Sequence, residues 1–248
     1  MKLNKICAAL ATCGLAFGVG SAQAQKLSGD KIVIGFVTDM SSLYSDIDGQ
    51  GGVYEATVER IESDRAIMRV CSFARSSAPF PVDIAVGVIR APRFEIAVEK
   101  CVELGARAII PFHSQRCVRR AGETGEALKV DRLNRIVAAS CKQSGRAHVP
   151  SITLVESFET LVERIPAYGG AFLADPGGAE TAVSGGLKGG VLGIVGPEGG
   201  LSSAERDLLI GAGAVPLSLG RARLRSETAA ICLLYRLLFD YALALGVR

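Results

Sequence analysis

The chain has 248 residues, 49% hydrophobic and 21% charged, which is globular usage with enough length for a substantial core and excludes a disordered chain. Aromatic residues make up 6% with no Trp, which argues against carbohydrate-binding modules and single-strand binders built on flat rings, and 29 glycines without a Gly-X-Y period point to tight loops and not collagen. The net charge of +3 names no partner, but residues 90–146 hold twelve basic and six acidic side chains, a surplus that suits a phosphate-facing surface or solvated helix faces equally.

Residues 1–24 begin with Lys2 and Lys5, continue through an apolar run from Ile6 to Val19 and reach Ala22-Gln23-Ala24. That order of charged, apolar and small residues is a secretory signal peptide's, with cleavage after Ala24. Residues 25–52 then give a buried strand, Ile32 to Val37, and a Ser-rich loop. With the leader, KIVIGFVTDMSSLYSDIDGQGG (31–52) resembles the start of a periplasmic branched-chain amino-acid-binding protein, whose Ser-rich turn helps hold the ligand's backbone. The resemblance ends near Gly52, and the remaining length is too short for the two lobes of such a receptor. Beyond the leader the cysteines are Cys71, Cys101, Cys117, Cys141 and Cys232, an odd and widely spaced set without CxxC that fits neither a disulfide framework nor a zinc site. Cys101, Cys141 and Cys232 fall in apolar helical patterns and are expected as buried, reduced thiols. Export is indicated by the first 52 residues, a reducing compartment by the others.

Residues 53–71 alternate apolar and polar positions twice around Glu62-Ser63-Asp64, which predicts an antiparallel hairpin; FARSSAPFP (73–81) follows as a linker. From Val82 the pattern changes. Short apolar runs at 82–89, 106–112, 152–155, 170–175, 190–196 and 214–220 predict strands, and helical segments at 93–104, 131–143, 156–163, 202–212 and 226–246 separate them. This alternation implies a parallel sheet with helices on both faces. The last helix is long and apolar, but Arg236 and Asp240 exclude a membrane span, so it packs in the core or on a second subunit.

Two strand ends carry the chemistry. The strand at 190–196 runs into Gly196-Pro197-Glu198-Gly199-Gly200, and a helix then opens with Ser202 and Glu205 in capping-box spacing. Glycines there let backbone groups approach a ligand at a helix N-terminus, or serve only a tight turn. The strand at 214–220 ends in Leu219-Gly220, followed by Arg221, Arg223 and Arg225 and a helix starting at Ser226-Glu227-Thr228. Both loops lie at one sheet edge, where open α/β sheets bind ligands. Neither loop is a dinucleotide fingerprint, and the chain contains no Walker A sequence.

GPEGG (196–200), then LG (219–220) and LRSETA (224–229), resembles the 16S ribosomal RNA uracil-N3 methyltransferase family of the SPOUT, or α/β-knot, class. Two earlier blocks match it in order, EKCVELGARAIIPFHSQRCVRR (99–120) and KVDRLNRIVAASCKQSGRAHVPSI (129–152), so the likeness covers about residues 53–248. It implies an α/β fold, a SPOUT-type parallel sheet with a C-terminal trefoil knot over 82–248. A truncated remnant of a PUA-like β-barrel, at 53–76, would precede it. The family's opening barrel strands are missing, and the two resemblances join at Asp48–Gly52.

The resemblance also implies S-adenosylmethionine held by Leu173, Gly196, Pro197, Glu198, Gly199, Gly200, Leu219, Gly220, Leu224 and Thr228. It implies 16S rRNA of the small ribosomal subunit as partner, a homodimer, a cytoplasmic address at odds with the leader, and neither membrane nor metal. Arg225 is the candidate to stabilise a uracil anion or anchor a phosphate, or it pairs with Glu227 or Glu198. Glu198 is a candidate catalytic acceptor, or a brace within its loop. Arg116, Arg132 and Arg146 are the expected RNA contacts. His113 and His148 have no third ligand and are not expected to bind metal. A receptor fragment, and a knot dimer that binds cofactor without catalysis, are the alternatives.

Overall fold

The computed structural model describes residues 51–61, 66–117, 130–153, 156–180 and 189–244. The leader and nearly all of the receptor-like stretch therefore lie outside the described residues, as do Arg119 and Arg120.

The chain enters through an antiparallel hairpin, β1 (Gly52–Ile61) and β2 (Ala66–Arg75), registered from Gly52 opposite Arg75 to Ile61 opposite Ala66. β2 runs four residues beyond the predicted hairpin, into what composition assigns to a linker. The first residues of β1 pair with Phe73, Ala74 and Arg75, and the Ser76 N–H closes the ladder onto the Gly51 carbonyl at 3.1 Å.

A six-stranded, all-parallel sheet follows, with strand order β5-β4-β3-β7-β6-β8. Its strands are β3 (Val82–Gly87), β4 (Ala108–Phe112), β5 (Ser151–Ile152), β6 (Gly170–Ala179), β7 (Val191–Val195) and β8 (Ala214–Leu217). The central strands β3 and β7 are buried along their whole length, as a sheet covered on both faces requires of its middle strands. Side chains alternate between the faces. Ile84, Val86, Val191 and Val195 join one core cluster, while Ala85, Leu192 and Ile194 join the other.

The first cluster is closed by α1 (Ala91–Leu104), α2 (Val130–Ser144) and α5 (Ser226–Ala244), through Phe94, Val98, Leu133, Val137, Leu233 and Leu237. Cys101 and Cys141 lie in it as buried free thiols, whereas Cys232, expected buried, is only half-buried. The second cluster is closed by α3 (Phe158–Arg164), the single 3-10 turn after it and α4 (Ser203–Gly211), through Phe158, Leu161, Ile165 and Leu209. No described helix is long and apolar enough to cross a membrane.

One ion pair, buried at its carboxylate, ties the sheet together at its other end. Asp83 is 4% exposed and accepts from Arg107 Nε and Nη2 at 2.8 and 2.6 Å and from the Tyr168 hydroxyl at 2.8 Å. The link joins β3 to the starts of β4 and β6. Burial first, and then the adjacent carboxylate, push the Tyr168 phenol up from its ordinary value.

The order of β6, β7 and β8 brings the chain's last segment back under itself. β8 pairs β6 at the sheet edge, yet α5 packs over β3 and β7 in the middle. Between them, Ser218 N–H donates to the Ala179 carbonyl at 2.9 Å and Arg236 Nη2 to the Glu180 carbonyl at 3.4 Å, so the chain leaving β6 lies across the chain that leads into α5. β6 also outlasts its predicted end at residue 175. Its pairing with β8 pauses after Ala174 and resumes at Ala179 opposite Leu217, leaving 175–178 as a bulge.

Candidate cofactor and RNA site

The carboxyl ends of β6, β7 and β8 surround a cleft of about 640 Å³. Leu173 to Pro176 line it from β6, Val195 to Leu201 from the loop after β7, and Leu219, Gly220 and Ala222 to Ser226 from the loop after β8. The two glycine-bearing loops therefore share one cleft at the sheet edge, and a third strand end joins them.

The loop after β7 is held from three sides. Pro197 lies against the end of β3, where a Cβ added at Gly87 would sit 2.6 Å from the Pro197 nitrogen. The helix behind the loop starts with the full capping box: Ser202 Oγ accepts from Glu205 N–H, and the Glu205 carboxylate accepts from Ser202 N–H at 2.8 Å. That carboxylate, only 3% exposed, also accepts from Gln115 N–H at 2.7 Å, which draws the loop after β4 onto the start of α4. Arg116 is thereby laid over the glycines. Its guanidinium points at the carbonyls of Gly199 and Leu201 at 3.5 and 3.4 Å, and a Cβ added at Gly199 would lie 2.9 Å from the Arg116 carbonyl oxygen.

Glu198 turns out of the loop toward α1. Its carboxylate meets Arg93 Nη1 at 3.0 Å and Arg90 Nε at 4.0 Å. Of the two roles open to Glu198, catalytic acceptor or brace, these contacts are those of a brace to a neighbouring helix. Arg93 also reaches Glu227 at 3.9 Å, so both carboxylates considered as partners for Arg225 belong to Arg93. Arg225 itself is exposed, lines the cleft and makes no ion pair with any described residue.

Leu173, Gly196, Pro197, Glu198, Gly199, Gly200, Leu219, Gly220 and Leu224 all line the cleft. Thr228 does not. α5 begins at Ser226, and its turn of about 100° per residue directs Ser226 and Ala229 to the cleft and Thr228 to solvent. Arg116 stands at the rim, while the other two expected RNA contacts are elsewhere. Arg132 forks onto Glu95 at 2.5 and 2.8 Å and joins α2 to α1. Arg146 donates to the carbonyls of Val102 and Ala106 at 2.7 and 3.2 Å, so it caps the carboxyl end of α1 and does not face outward. His148 is buried, with Nε2 3.3 Å from the Ser76 carbonyl, and no group of three or more His, Cys, Asp or Glu among the described residues is placed to hold a metal ion.

Sequence reasoning misses Arg93 and the pair Asp175–Arg206, which closes the β6 side of the cleft. Burial alone would push the Asp175 carboxyl up, but the Arg206 hydrogen bond and the Gly177 N–H more than reverse this and hold it below the usual carboxylate range. Arg93 does leave a signal. The first turn of α1 contains no acid and carries an arginine, the reverse of what a helix N-terminus favours, which asks for a partner elsewhere.

Comparison with known proteins agrees with this layout. The family model for the RNA methyltransferase domain matches residues 76–238. Ribosomal RNA small subunit methyltransferase E of Bacillus subtilis is 30% identical over 200 residues, covering 76% of this chain and 78% of that protein. The enzyme of the same name from Synechocystis is 28% identical over 189 residues, covering 74% of this chain and 61% of that protein, so the chain spans under two thirds of that relative. Among solved structures, a Legionella pneumophila protein assigned as a methyltransferase, with S-adenosylmethionine bound, superposes with a TM-score of 0.66 at 27% identity, covering 79% of this chain and 80% of that one. With its family model spanning most of its length and a 30% identical relative covered over three quarters, the chain belongs to the family of ribosomal RNA small subunit methyltransferase E.

Proposed function

We propose that this protein transfers a methyl group from S-adenosylmethionine to N3 of a uridine in the 16S rRNA of the small ribosomal subunit, in the cytoplasm. The observation that carries the reading is the meeting of three strand-end loops on one cleft, with Arg225 unpaired at its mouth.

The cleft suits the cofactor in size and lining. About 640 Å³ is within the range of sites for molecules of this kind, and Leu173, Leu219 and Leu224 supply apolar walls for a purine. Gly196, Gly199 and Gly200 carry no side chain of their own between a ligand and the loop's backbone. When bound, the cofactor would supply an electrophilic methyl on a sulfonium, with the neutral thioether as the leaving group.

The protein's part is binding, orientation and charge. N3 of uracil carries a weakly acidic proton, and methylation requires the anion. The Arg225 guanidinium, permanently charged and forked, stabilises negative charge on the uracil carbonyl oxygens as the N3 proton passes to solvent water. Glu198 acts through the loop it braces. Arg116 and Arg223, both exposed at the same mouth, hold phosphates next to the target. The hairpin β1–β2 is the remnant of the PUA-like barrel.

The crossing of the chain after β6 over the segment 218–225 supports a trefoil knot as the device that fixes the loops. On α5, Tyr235, Phe239 and Leu243 are each about half exposed at helical spacing, an apolar stripe suited to a second copy.

The test is transfer of labelled methyl from S-adenosylmethionine to unmodified small ribosomal subunits, with the modified base identified by nucleoside mass spectrometry. 3-Methyluridine is expected. Folded protein that binds the subunit and the cofactor yet leaves no label would overturn the reading.

A further inference from the structure

We propose that Arg93, which belongs to none of the three cleft-forming loops, is a positioning residue that sets cofactor affinity by clamping two of those loops together. The inference rests on the cofactor reading above.

Arg93 lies in the first turn of α1, just after β3 and 105 residues before Glu198, the nearer in sequence of its two partners. Its Nη1 is 3.0 Å from Glu198, at the centre of the loop after β7, and its Nε is 3.9 Å from Glu227, the second residue of α5. One guanidinium thus bridges the segment that carries Gly196–Gly200 and the one that carries Leu224 and Arg225. The geometry is specific to a fork, since two nitrogens of one planar group address two carboxylates from separate loops.

The surroundings make the bridge matter. Glu198 and Glu227 side chains are 21% and 11% exposed, so screening between them is weak, and without a cation they repel each other. Among the described residues Glu227 has no other ion-pair partner, and its Oε2 is buried without a hydrogen bond. Arg90 reaches only Glu198, at 4.0 Å, from a mostly exposed position. Arg93 gains nothing from its own helix, whose positive end it faces, so the two carboxylates are what hold it in place. Removing it leaves two like charges to separate, and the loops they belong to separate with them.

The test titrates S-adenosylmethionine into the full chain by calorimetry, for wild type, Arg93→Ala, Arg93→Lys, Glu198→Gln and the Arg93→Ala/Glu198→Gln double variant. Hydrogen exchange of the uncomplexed proteins is followed in parallel. Arg93→Ala is expected to weaken cofactor binding about tenfold and to speed exchange at 198–201 and 226–229 but not in β3 or β4. Arg93→Lys, with one point charge for two partners, is expected to recover only part of the loss. The double variant is expected to be no weaker than Arg93→Ala, because the two single changes remove one interaction. With ribosomal subunits as substrate, KM for the cofactor rises while kcat stays within about threefold, a split that general destabilisation does not give.

Cofactor affinity within about twofold of wild type in Arg93→Ala, with loop exchange unchanged, would overturn the clamp. If Arg93→Ala does not fold, Arg93→Lys decides, and wild-type affinity in it counts against the proposal. If the wild type itself does not bind the cofactor, the site assignment falls. Loop exchange then still decides the clamp, for it if Arg93→Ala accelerates it locally and against it if not.

Discussion

Gly199 passes so close under Arg116 that a Cβ there would lie 2.9 Å from the Arg116 carbonyl oxygen and 3.0 Å from its Cβ. The neighbouring atom is backbone, fixed in turn by the Glu205 carboxylate through Gln115, so it has little room to give. Two loops from different strands thereby share a boundary, and the position of each depends on the smallness of one residue.

Gly199→Ala is therefore expected to displace the loop after β7 and to weaken S-adenosylmethionine binding at least about tenfold, while the sheet stays folded. Calorimetric titration with a thermal melt of the same sample checks this. Wild-type affinity in the variant would show that the loop relaxes freely and that the contact with Arg116 sets nothing.

Arg225 separates binding from chemistry. It lines the cleft without an ion pair among the described residues, so its loss breaks no brace. Arg225→Ala is expected to lower kcat by about a hundredfold, the scale for removing one donor to a developing oxyanion, with cofactor affinity unchanged. Arg225→Lys should recover a minor part, since a point charge cannot fork. Equal kcat in wild type and Arg225→Ala would remove Arg225 from the catalytic assignment.

Most of the fold is legible in the sequence for a reason that can be located. β3 and β7 are buried on both faces, so they read as apolar runs, broken in β3 by Asp83 alone, and helices of 3.6 periodicity separate the strands. The cleft is legible because its glycines stand at consecutive strand ends. What joins the loops is not legible. Arg93 and Glu198 are 105 residues apart and Gln115 and Glu205 are 90 apart, and no local pattern pairs such residues. Arg146 shows the converse. Its place in a matching motif suggests RNA, but the carboxyl end of α1 needs a donor there, and that need exists only once the chain has folded.

The pair Asp83–Arg107 predicts the largest loss of stability. Asp83→Ala removes the buried carboxylate that the Arg107 fork and the Tyr168 hydroxyl share, while the site lies at the other end of the sheet. A destabilisation of about 2 kcal/mol is expected from urea unfolding, with the m-value unchanged. A loss of under about 1 kcal/mol would mean that solvent screens the pair.

Thiol chemistry reports the core from inside. Burial pushes the Cys101 thiol up to about 12 and moves Cys141 in the same direction. At pH 8 both are expected to resist iodoacetamide, while the half-buried Cys117 and Cys232 react. A thiol whose folded pKa is raised holds its proton longer in the fold than in the unfolded chain. Its contribution is complete below the ordinary thiol value of about 8.5 and declines as pH rises toward about 12. Urea midpoints that fall between pH 9 and 11, and fall less in Cys101→Ala, check the sign.

The outer face of α5 tests the assembly. Tyr235 and Phe239 stack at 6.1 Å between ring centroids while 58% and 50% exposed, and Leu243, 54% exposed, continues the line one turn on. Three large apolar side chains on one helix face cost solvation free energy when left in water, about 25 cal/mol for each Å² that a partner would cover. The same helix buries Leu233 and Leu237 on its inner face, so α5 is apolar on two sides and its inner side alone accounts for the core. A second copy related by a twofold axis places the stripe against itself, the commonest arrangement for such a surface. Sedimentation equilibrium is expected to give a dimer for the wild type. Phe239→Asp, which puts a charge into the stripe without touching the inner face, is expected to give a folded monomer. A wild type that stays monomeric at micromolar concentration, or a Phe239→Asp variant that stays dimeric, would place the subunit contact on another surface.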